Sequence, residues 1–417
     1  MKVSYLLAIV TMLMAGSCVL AVPVQWQLTT LDPTLDVRCV VPMPNGDIYV
    51  AARGAGIFHS ADRGQTWTTL NNGLPDFELG PLIVAQDGTM VVSVGRNPGE
   101  GTWWYDGAIW RQCPGVPTGG WGVLAMDKTA GGDILVGHAW TNTITVSTDN
   151  GRTFTQRAVL PNSPNGWASS PYAMARGPDG TMYLGTEIGG VLYSRDDGRT
   201  WATIPNTDKT TYPAGNIAAL GFNNAGELLC NLGVNPSRLV GGVTGTWVAM
   251  AGFPIETRLN SFTKTPDGQL FTVTRRYSPQ PPQVCTSTDG GASWTGASDG
   301  LPPAATLVCN SVVVSPDNYL YLATKGGLYR TTTAICVPGD ANGDGKIAFT
   351  DYIVLEGHFG KTGAVYADGD FNGDGVVNFK DYIILEGNFG QSAPEPVTLV
   401  VLGVGAVAMV RRHGRAA

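Results

Sequence analysis

Short apolar, β-branched runs recur through the middle of the chain, each beside a turn of polar residues or glycine. Seven such turns, 42 to 50 residues apart, lie at 44–47, 86–89, 131–134, 178–181, 224–227, 266–269 and 316–319. The flanking runs, such as those at 48–50 and 182–184, are typical of β-strands because they are rich in β-branched and aromatic residues. A period of this length predicts seven copies of one strand-rich unit.

A sharper motif lies inside the repeat. It reads Ser-x-Asp-x-Gly-x-(Thr or Ser)-aromatic and begins at Ser60, Ser147, Ser194 and Ser287. Each copy predicts a tight hairpin, because Ser and Asp side chains accept turn N–H groups and Gly permits a positive φ. The motif resembles the Asp-box of sialidase-like propellers, also called the BNR repeat. The resemblance implies a β-propeller, and we expect the motif itself to be architectural.

One aromatic residue per repeat counts the blades. Seven of these residues lie 41 to 47 positions apart: Trp26, Trp67, Trp110, Phe154, Trp201, Trp247 and Trp294. Because Trp26 precedes the first turn, its strand is expected to complete the seventh blade and close the ring, which removes open sheet edges. The predicted fold class is all-β: a seven-bladed β-propeller with four-stranded blades over residues 22–334, followed by a small α-helical calcium-loop module.

The binding face of such a propeller carries the loops between second and third strands and the loops that lead into the next blade. Trp121, Trp140 and Trp167 fall in loops of this kind around blades two to four. Trp side chains stack on the C–H faces of sugar rings, so these three residues form the candidate ligand site. The alternative is that each indole only packs its loop against its blade.

Charged residues of the same loops offer a second chemistry. Paired carboxylates support glycoside hydrolysis, and the candidates are Asp76, Glu78, Glu187 and Glu256. Arginines would hold an acidic sugar, and the candidates are Arg38, Arg53, Arg96, Arg238, Arg258 and Arg275. A solvated surface is the alternative for both sets. Sialidases carry an Arg-Ile-Pro motif where this chain reads Val-Arg-Cys-Val at 37–40, which counts against that activity. The Gly-Leu-Pro loops at 73–75 and 300–302 resemble those of xyloglucanase-like propellers.

Residues 339–360 and 369–390 are a duplicate, offset by 30 positions. Each copy opens with an Asp-x-Asn-x-Asp-Gly loop, whose run of oxygen atoms suits Ca²⁺, so two calcium ions are expected. The first set of ligands is Asp340, Asn342, Asp344, the carbonyl group of Lys346, and Asp351. The second set is Asp370, Asn372, Asp374, the carbonyl group of Val376, Asn378 and Asp381.

One helix is predicted after each loop, with apolar stripes that pair the two helices. Duplicated loop-and-helix units resemble a type I dockerin over residues 339–390, which implies a cohesin-like partner protein. Dockerins contact cohesins through loop positions 10 and 11, often Ser-Thr. Here these positions are Phe349-Thr350 and Phe379-Lys380. A calcium-stiffened spacer is the alternative role.

Both ends of the chain resemble targeting segments. Lys2, the apolar run at 5–14 and the small residues before Val22 predict a signal peptide over residues 1–21, with lipidation at Cys18 as the alternative. Residues 335–338 are a linker. Residues 391–417 combine a Pro-Glu-Pro triplet, a 14-residue apolar run and a basic end. This tail resembles a PEP-CTERM sorting signal, which implies an exosortase-type processing enzyme. The run would cover ~21 Å, short of a ~30 Å bilayer core.

Net charge and the spacing of the cysteines limit which partners and metal sites are expected. A net charge of -7 leaves few basic groups to neutralise phosphates, so nucleic acid is excluded as a partner. The six cysteines after the leader are scattered without zinc spacing. Because export permits disulfides, Cys39 and Cys309, on the inner strands of adjacent blades, are expected to bridge the ring closure.

The leading hypothesis is an exported protein, held at the cell envelope or released outside, whose propeller binds a glycan or a protein without catalysis. One alternative is a glycoside hydrolase of polysaccharide catabolism. The other is a scaffold in an extracellular assembly.

Overall fold

The computed structural model of the chain describes residues 24–95, 101–116, 123–138, 141–207, 216–232, 235–253, 257–276, 284–303, 307–336, 338–342, 346–364, 366–372 and 375–391. The chain divides into two compact units. One spans Val24–Cys336, and the described residues after Cys336 belong to the other.

The larger unit is built from short β-strands. In chain order they are β1 Trp26–Leu28, β2 Asp36–Pro42, β3 Ile48–Arg53, β4 Gly56–Ser60, β5 Thr68–Thr69, β6 Leu79–Val84, β7 Met90–Val94, β8 Gly101–Tyr105, β9 Trp110–Gln112, β10 Val123–Lys128, β11 Ile134–His138, β12 Thr143–Ser147, β13 Thr155–Val159, β14 Pro171–Arg176, β15 Met182–Thr186, β16 Val191–Ser194, β17 Ala202–Thr203, β18 Leu220–Phe222, β19 Leu228–Leu232, β20 Asn235–Val240, β21 Thr246–Ala249, β22 Thr257–Lys264, β23 Leu270–Arg276, β24 Val284–Ser287, β25 Thr295–Gly296, β26 Cys309–Val314, β27 Leu320–Thr324 and β28 Gly327–Thr331.

Within the described part of the chain, these strands form seven antiparallel four-stranded sheets. Blades 1 to 6 take their strands in sequence, from β2–β5 through β22–β25, whereas blade 7 has the order β26-β27-β28-β1. Strand β1 pairs with β28, with Trp26 opposite Thr331. The predicted seven-bladed propeller and its closure by the N-terminal strand are therefore confirmed.

The first strands of the blades line the centre, since β2, β6 and β10 contact one another in turn and β22 contacts β26. Alternating side chains of each blade point toward the blades on either side. The core consequently lies between blades: Val37 and Val50 of blade 1 pack with Tyr321 and Leu328 of blade 7. Burial of these apolar faces, rather than a single central core, stabilises the ring.

The four Ser-x-Asp-x-Gly turns share one hydrogen-bond pattern. In the first, Ser60 Oγ donates to Asp62 Oδ1 at 2.7 Å and accepts the Gly64 N–H at 2.7 Å. Asp62 also accepts the backbone N–H and the hydroxyl of Thr66. Gly64 has φ +86°, a conformation that favours glycine. The Thr66 hydroxyl is the main cause that holds the pKa of Asp62 well below its ordinary value.

These turns also tie neighbouring blades together. Arg152, in the turn of blade 3, binds Asp87 of blade 2 at 2.9 Å. Arg63, in the turn of blade 1, binds Asp317 of blade 7 at 2.9 Å. The motif therefore acts architecturally in this structure, at the outer part of each blade.

The second unit contains helices α1 Phe349–Gly357 and α2 Phe379–Asn388, which contact each other. A short 3-10 helix, Tyr366–Asp368, lies between them. The helices enclose a small apolar core that includes Ile347, Leu355, Phe371, Val377 and Leu385. Each helix follows directly on one of the two duplicated loops.

The expected disulfide between Cys39 and Cys309 is wrong, since both residues carry free thiols. Cys39 points toward blade 2, where its thiol donates to the carbonyl oxygen of Leu82. Cys309 packs with Phe271 and Val273 of blade 6. The two side chains thus leave their adjacent strands on opposite sides, which adjacency along the ring alone does not reveal.

Candidate functional site

The two faces of the propeller differ in what they carry. We call the side with the turns between first and second strands, and between third and fourth strands, the turn face. The opposite side, which carries the loops between second and third strands and between blades, is the loop face. The Ser-x-Asp-x-Gly turns lie on the turn face. Both Trp26, where β1 begins, and Thr331, where β28 ends, also lie there. The loop face is therefore free of the propeller's own chain ends.

A β-bulge marks the loop-face half of the first strand in six blades among the described residues, all except blade 5. A bulge re-aims a side chain and often lies beside a functional site. In blades 6, 7 and 1 the extra residue is polar: Asn260, Asn310 and Arg38. In blades 3 and 4 it is Leu124 or Tyr172. The centre of the loop face is therefore polar on one side.

The two asparagines at the bulges link successive blades. Asn260 donates to the Cys309 carbonyl oxygen at 3.1 Å, and Asn310 donates to the Val37 carbonyl oxygen at 2.6 Å. Arg38 holds the equivalent place in blade 1, but its Nη2 binds Asp36 within its own strand at 2.7 Å. The side chain of Arg38 is 32% exposed. Its buried Nε has no hydrogen-bond partner among the described residues.

Asp36 fixes the position of this guanidinium. One oxygen of Asp36 accepts from Arg38, and its other oxygen accepts from the Asn310 amide at 3.1 Å. The Asp36 carboxylate is thus itself held in place, and it holds Arg38 from one side. Sequence reasoning named Arg38 but missed Asp36 and Asn310, because only the closure of the ring brings blades 7 and 1 together.

Arg53 and Glu78 form a second ion pair near the loop face. Arg53 Nε donates to both carboxylate oxygens of Glu78, at 2.9 and 2.8 Å. The hydrogen bond to Glu78 is the main reason that the pKa of Arg53 is raised. Asp76 accepts the backbone N–H groups of Phe77 and Glu78 and so caps its own turn. These two carboxylates are engaged in holding the loop between blades 1 and 2.

The remaining candidates are dispersed. Glu187 lies after β15 in blade 4, half-buried, and its carboxylate makes no hydrogen bond or ion pair among the described residues. Glu256 and Arg96 lie outside the described residues. Arg238 lies in β20 and binds Glu227 at 2.7 Å, beside the turn that precedes β19. Its prediction as a loop-face residue is wrong, because this pairing directs it toward the turn face.

Trp167 is the most exposed large apolar side chain of the described residues, at 70%. It lies in the loop from blade 3 to blade 4. A tight turn holds it there: Trp167 N–H donates to Ser163 Oγ, and Ser163 N–H donates to the Trp167 carbonyl oxygen at 2.9 Å. The backbone is thus fixed while the indole faces solvent. Trp121 and Trp140, predicted to share this sector, lie outside the described residues.

The position-12 carboxylates of the two duplicated loops are fully buried. Asp351 accepts the N–H groups of Ala341, Asn342 and Ala348 at 2.9 to 3.2 Å. Asp381 repeats this geometry with the N–H groups of Phe371, Asn372 and Asn378. The structure gives neither carboxylate a cationic side-chain partner within the described residues. A buried anion without a counter-charge is costly, so a bound cation would stabilise both loops.

The donor set fits a hard cation. The predicted ligands of both loops are oxygen atoms throughout, which suits Ca²⁺ rather than zinc. Asp344 and Asp374, at position 5, lie outside the described residues. Within the part of the chain that is described, no three His, Cys, Asp or Glu side chains cluster as a metal site. Asn378, predicted as a ligand, accepts the Lys380 N–H and donates to the Val376 carbonyl oxygen.

The two helices present matching apolar side chains to solvent. Phe349 and Phe379 are 64% and 63% exposed, and Ile353 and Ile383 are 53% and 54% exposed. Each phenylalanine stacks on the tyrosine three residues later, and the two tyrosines, Tyr352 and Tyr382, meet edge to face at 6.2 Å. Exposed apolar patches of this kind mark interaction surfaces. We call this set the aromatic face.

The fold defines the chain as a seven-bladed β-propeller protein, and solved propellers are similar to it. A catalytically inactive virginiamycin B lyase from Staphylococcus aureus with quinupristin has a TM-score of 0.56 at 14% identity, over 73% of this chain and 99% of that one. The extracellular domain of a one-component system from B. thetaiotaomicron has a TM-score of 0.56 at 13% identity, over 74% and 40%. An ancestral GH74 enzyme has a TM-score of 0.53 at 13% identity, over 73% and 46%.

These likenesses show the fold, and the similar structures include a streptogramin B lyase, an extracellular domain and a GH74 enzyme. No known protein family matches the sequence. No curated protein matches it either. Among the described residues, no helix has the length and apolar character needed to cross a membrane.

Proposed function

We propose that this chain is an exported binding protein whose propeller takes a glycan or protein ligand on its loop face. The exposed indole of Trp167, held on a hydrogen-bonded turn, is the observation that carries the proposal. Exposing a large aromatic surface to water is unfavourable, and a stacked sugar ring or apolar side chain would cover it. The backbone turn reduces the entropy lost on binding.

Arg38 supports an acidic group on the ligand. Arg38 lies in the bulge, Asp36 holds it on one side, and its side chain is 32% exposed, so guanidinium N–H groups are available for a carboxylate or sulfate. Export agrees with the resemblance of residues 1–21 to a signal peptide, and the sorting-signal resemblance of residues 391–417 supports retention at the envelope by an exosortase-type enzyme. The similarity to an extracellular domain supports the same location.

The test compares Trp167→Ala with a matched control, Val159→Ala. Val159 is also exposed, at 58%, and ends the strand that precedes the Trp167 loop. The mature chain would be titrated against neutral and acidic polysaccharides by affinity electrophoresis and calorimetry. Loss of an aromatic anchor is expected to weaken binding by roughly 30-fold, since such anchors contribute about 2 kcal/mol or more. The control should bind like the wild type. Equal binding by Trp167→Ala and the wild type would remove this site from the proposal.

We further propose that the second unit binds two calcium ions and docks a partner protein through its aromatic face. The buried, unneutralised carboxylates of Asp351 and Asp381 support calcium binding. The duplicated apolar side chains support docking, with a cohesin-like protein as the expected partner. In an equilibrium dialysis of the full chain, two bound ions per chain are expected, and retention of fewer than two after loading would contradict the assignment.

A glycoside hydrolase is the second candidate function. Glu187 favours it, because this half-buried carboxylate of the loop face makes no ion pair among the described residues and so is available for chemistry. Release of reducing ends from one of the same polysaccharides, abolished by Glu187→Gln, would establish hydrolysis. Binding without release would leave the binding protein as the function.

A further inference from the structure

The two duplicated loops differ at position 9, where the helix begins. Asn378 stands there in the second loop and Ala348 in the first. Asn378 is the N-cap of α2, and its side-chain oxygen accepts the Lys380 N–H at 2.9 Å. Ala348 is the N-cap of α1 and makes no side-chain cap. An aspartate accepts the N–H of the N-cap residue in both helices, but only the second helix also has a side-chain cap from its N-cap residue.

Asn378 also acts on the loop itself. Its amide nitrogen donates to the Val376 carbonyl oxygen at 2.9 Å. That carbonyl group is the ligand expected at position 7 of the second loop. A carbonyl oxygen has two lone pairs, so it can accept this hydrogen bond and still ligate a cation. The bond fixes the direction of the carbonyl group before any cation arrives, and Ala348 offers the first loop no such bond.

A charge difference at position 7 also favours calcium binding by the second loop. Lys346 supplies the carbonyl group in the first loop and Val376 in the second. The Lys346 side chain is exposed. Its positive charge opposes a second positive charge nearby, although water and salt screen most of that repulsion. The second loop thus has a fixed position-7 ligand and a side-chain N-cap, and its residue at position 7 is uncharged.

We infer that Asn378 is a positioning residue that makes the second loop the tighter calcium site, so that calcium fills the second loop first and the first loop last. This inference rests on the proposed binding of two calcium ions. Its consequence is that α1, rather than α2, gains most of its order from calcium. Phe349, the first residue of α1, would then join the aromatic face only at the higher calcium concentration.

The experiment measures each loop alone in the full mature chain. Asp340→Ala leaves the second loop intact, and Asp370→Ala leaves the first. Calorimetric titration with calcium should give the Asp340→Ala chain a dissociation constant roughly 3- to 30-fold lower, the range expected from one helix cap. The chain with both substitutions serves as the blank.

Reciprocal exchanges identify the residue responsible. Asn378→Ala should weaken the second loop, and Ala348→Asn should strengthen the first by a similar factor. The second change is a gain of affinity, which a merely structural defect does not produce. Circular dichroism at saturating calcium should show the same helix content in the wild type and the two exchange variants, which separates loss of affinity from loss of folding.

Three results overturn the inference. Equal dissociation constants for the two single-loop chains would show that the loops are equivalent. Unchanged affinity in both exchange variants would show that Asn378 and Ala348 do not cause the difference. In either case calcium binding itself stands. Absence of calcium binding in the wild-type chain would remove both the inference and the proposal on which it rests.

Discussion

The closure of the ring by β1 makes Trp26→Ala a sharp test of how the propeller is held together. Trp26 is 2% exposed and packs in the cluster shared by blades 6 and 7. Its indole N–H donates to the Ala297 carbonyl oxygen at 2.8 Å. Replacing a buried Trp with Ala costs about 3–5 kcal/mol, and an unpaired buried carbonyl group adds about 1–3 kcal/mol. We expect the propeller's free energy of unfolding to fall by about 4 kcal/mol or more.

The assay is urea unfolding of the mature chain, followed by circular dichroism, with Leu28→Ala as the control. Leu28 lies on the same strand but is 41% exposed, so its loss should cost less than about 1 kcal/mol. The midpoint for Trp26→Ala should fall by about 1 M or more, given the steep urea dependence of a domain this large. A shift no larger than that of Leu28→Ala would refute the reasoning, because the buried Trp26 side chain would then add no more to the closed ring than an exposed residue of the same strand.

Two further predictions follow from the side-chain chemistry. The Thr66 hydroxyl is the main cause that lowers the pKa of Asp62, so the stability that this carboxylate contributes is present above pH 3.8, its ordinary pKa, and is lost as the pH falls below that value. The melting temperature of Asp62→Asn should therefore depend less on pH than that of the wild type between pH 4 and about 2. An unchanged slope would contradict this role. Cys113, Cys230, Cys285 and Cys309 are buried free thiols, and burial raises the pKa of Cys113 to about 12. A thiol reagent should leave these four residues unmodified in the native chain and modify all four after denaturation, whereas a residue that stays unmodified after denaturation would reveal a disulfide.

The repeat explains why the fold could be predicted from the sequence. Seven turns and seven aromatic residues impose the same local structure seven times, so an error in one copy is corrected by the others. The sequence even predicted that the strand of Trp26 completes blade 7, because Trp26 lies before the first turn of the repeat. The side chains of the loop face do not follow a repeated pattern, so their positions could not be checked from copy to copy. Which side chains meet there depends on strand bulges and on the side of the blade each residue faces, and neither is visible in a spacing.

The cysteines show the same limit. Cys39 and Cys309 lie on adjacent strands, as expected, but a β-strand directs alternate side chains to opposite sides. The bulge next to each residue shifts that alternation by one position. Sequence proximity around the ring therefore predicted neighbouring strands correctly and the contact between the two side chains wrongly.

In a repeat protein, the positions that carry individual function are those at which one copy departs from the others. The Asn260 and Asn310 amides donate hydrogen bonds to the next blade, whereas Arg38 at the equivalent position makes no such bond to the next blade. The same reasoning applies to the second unit, where Asn378 and Ala348 occupy equivalent places in otherwise matching loops. Shared residues maintain the repeat, because each blade or loop needs them to fold. A residue that differs between copies is not needed for the shared fold, so its side chain can contact a ligand or change the affinity of one site.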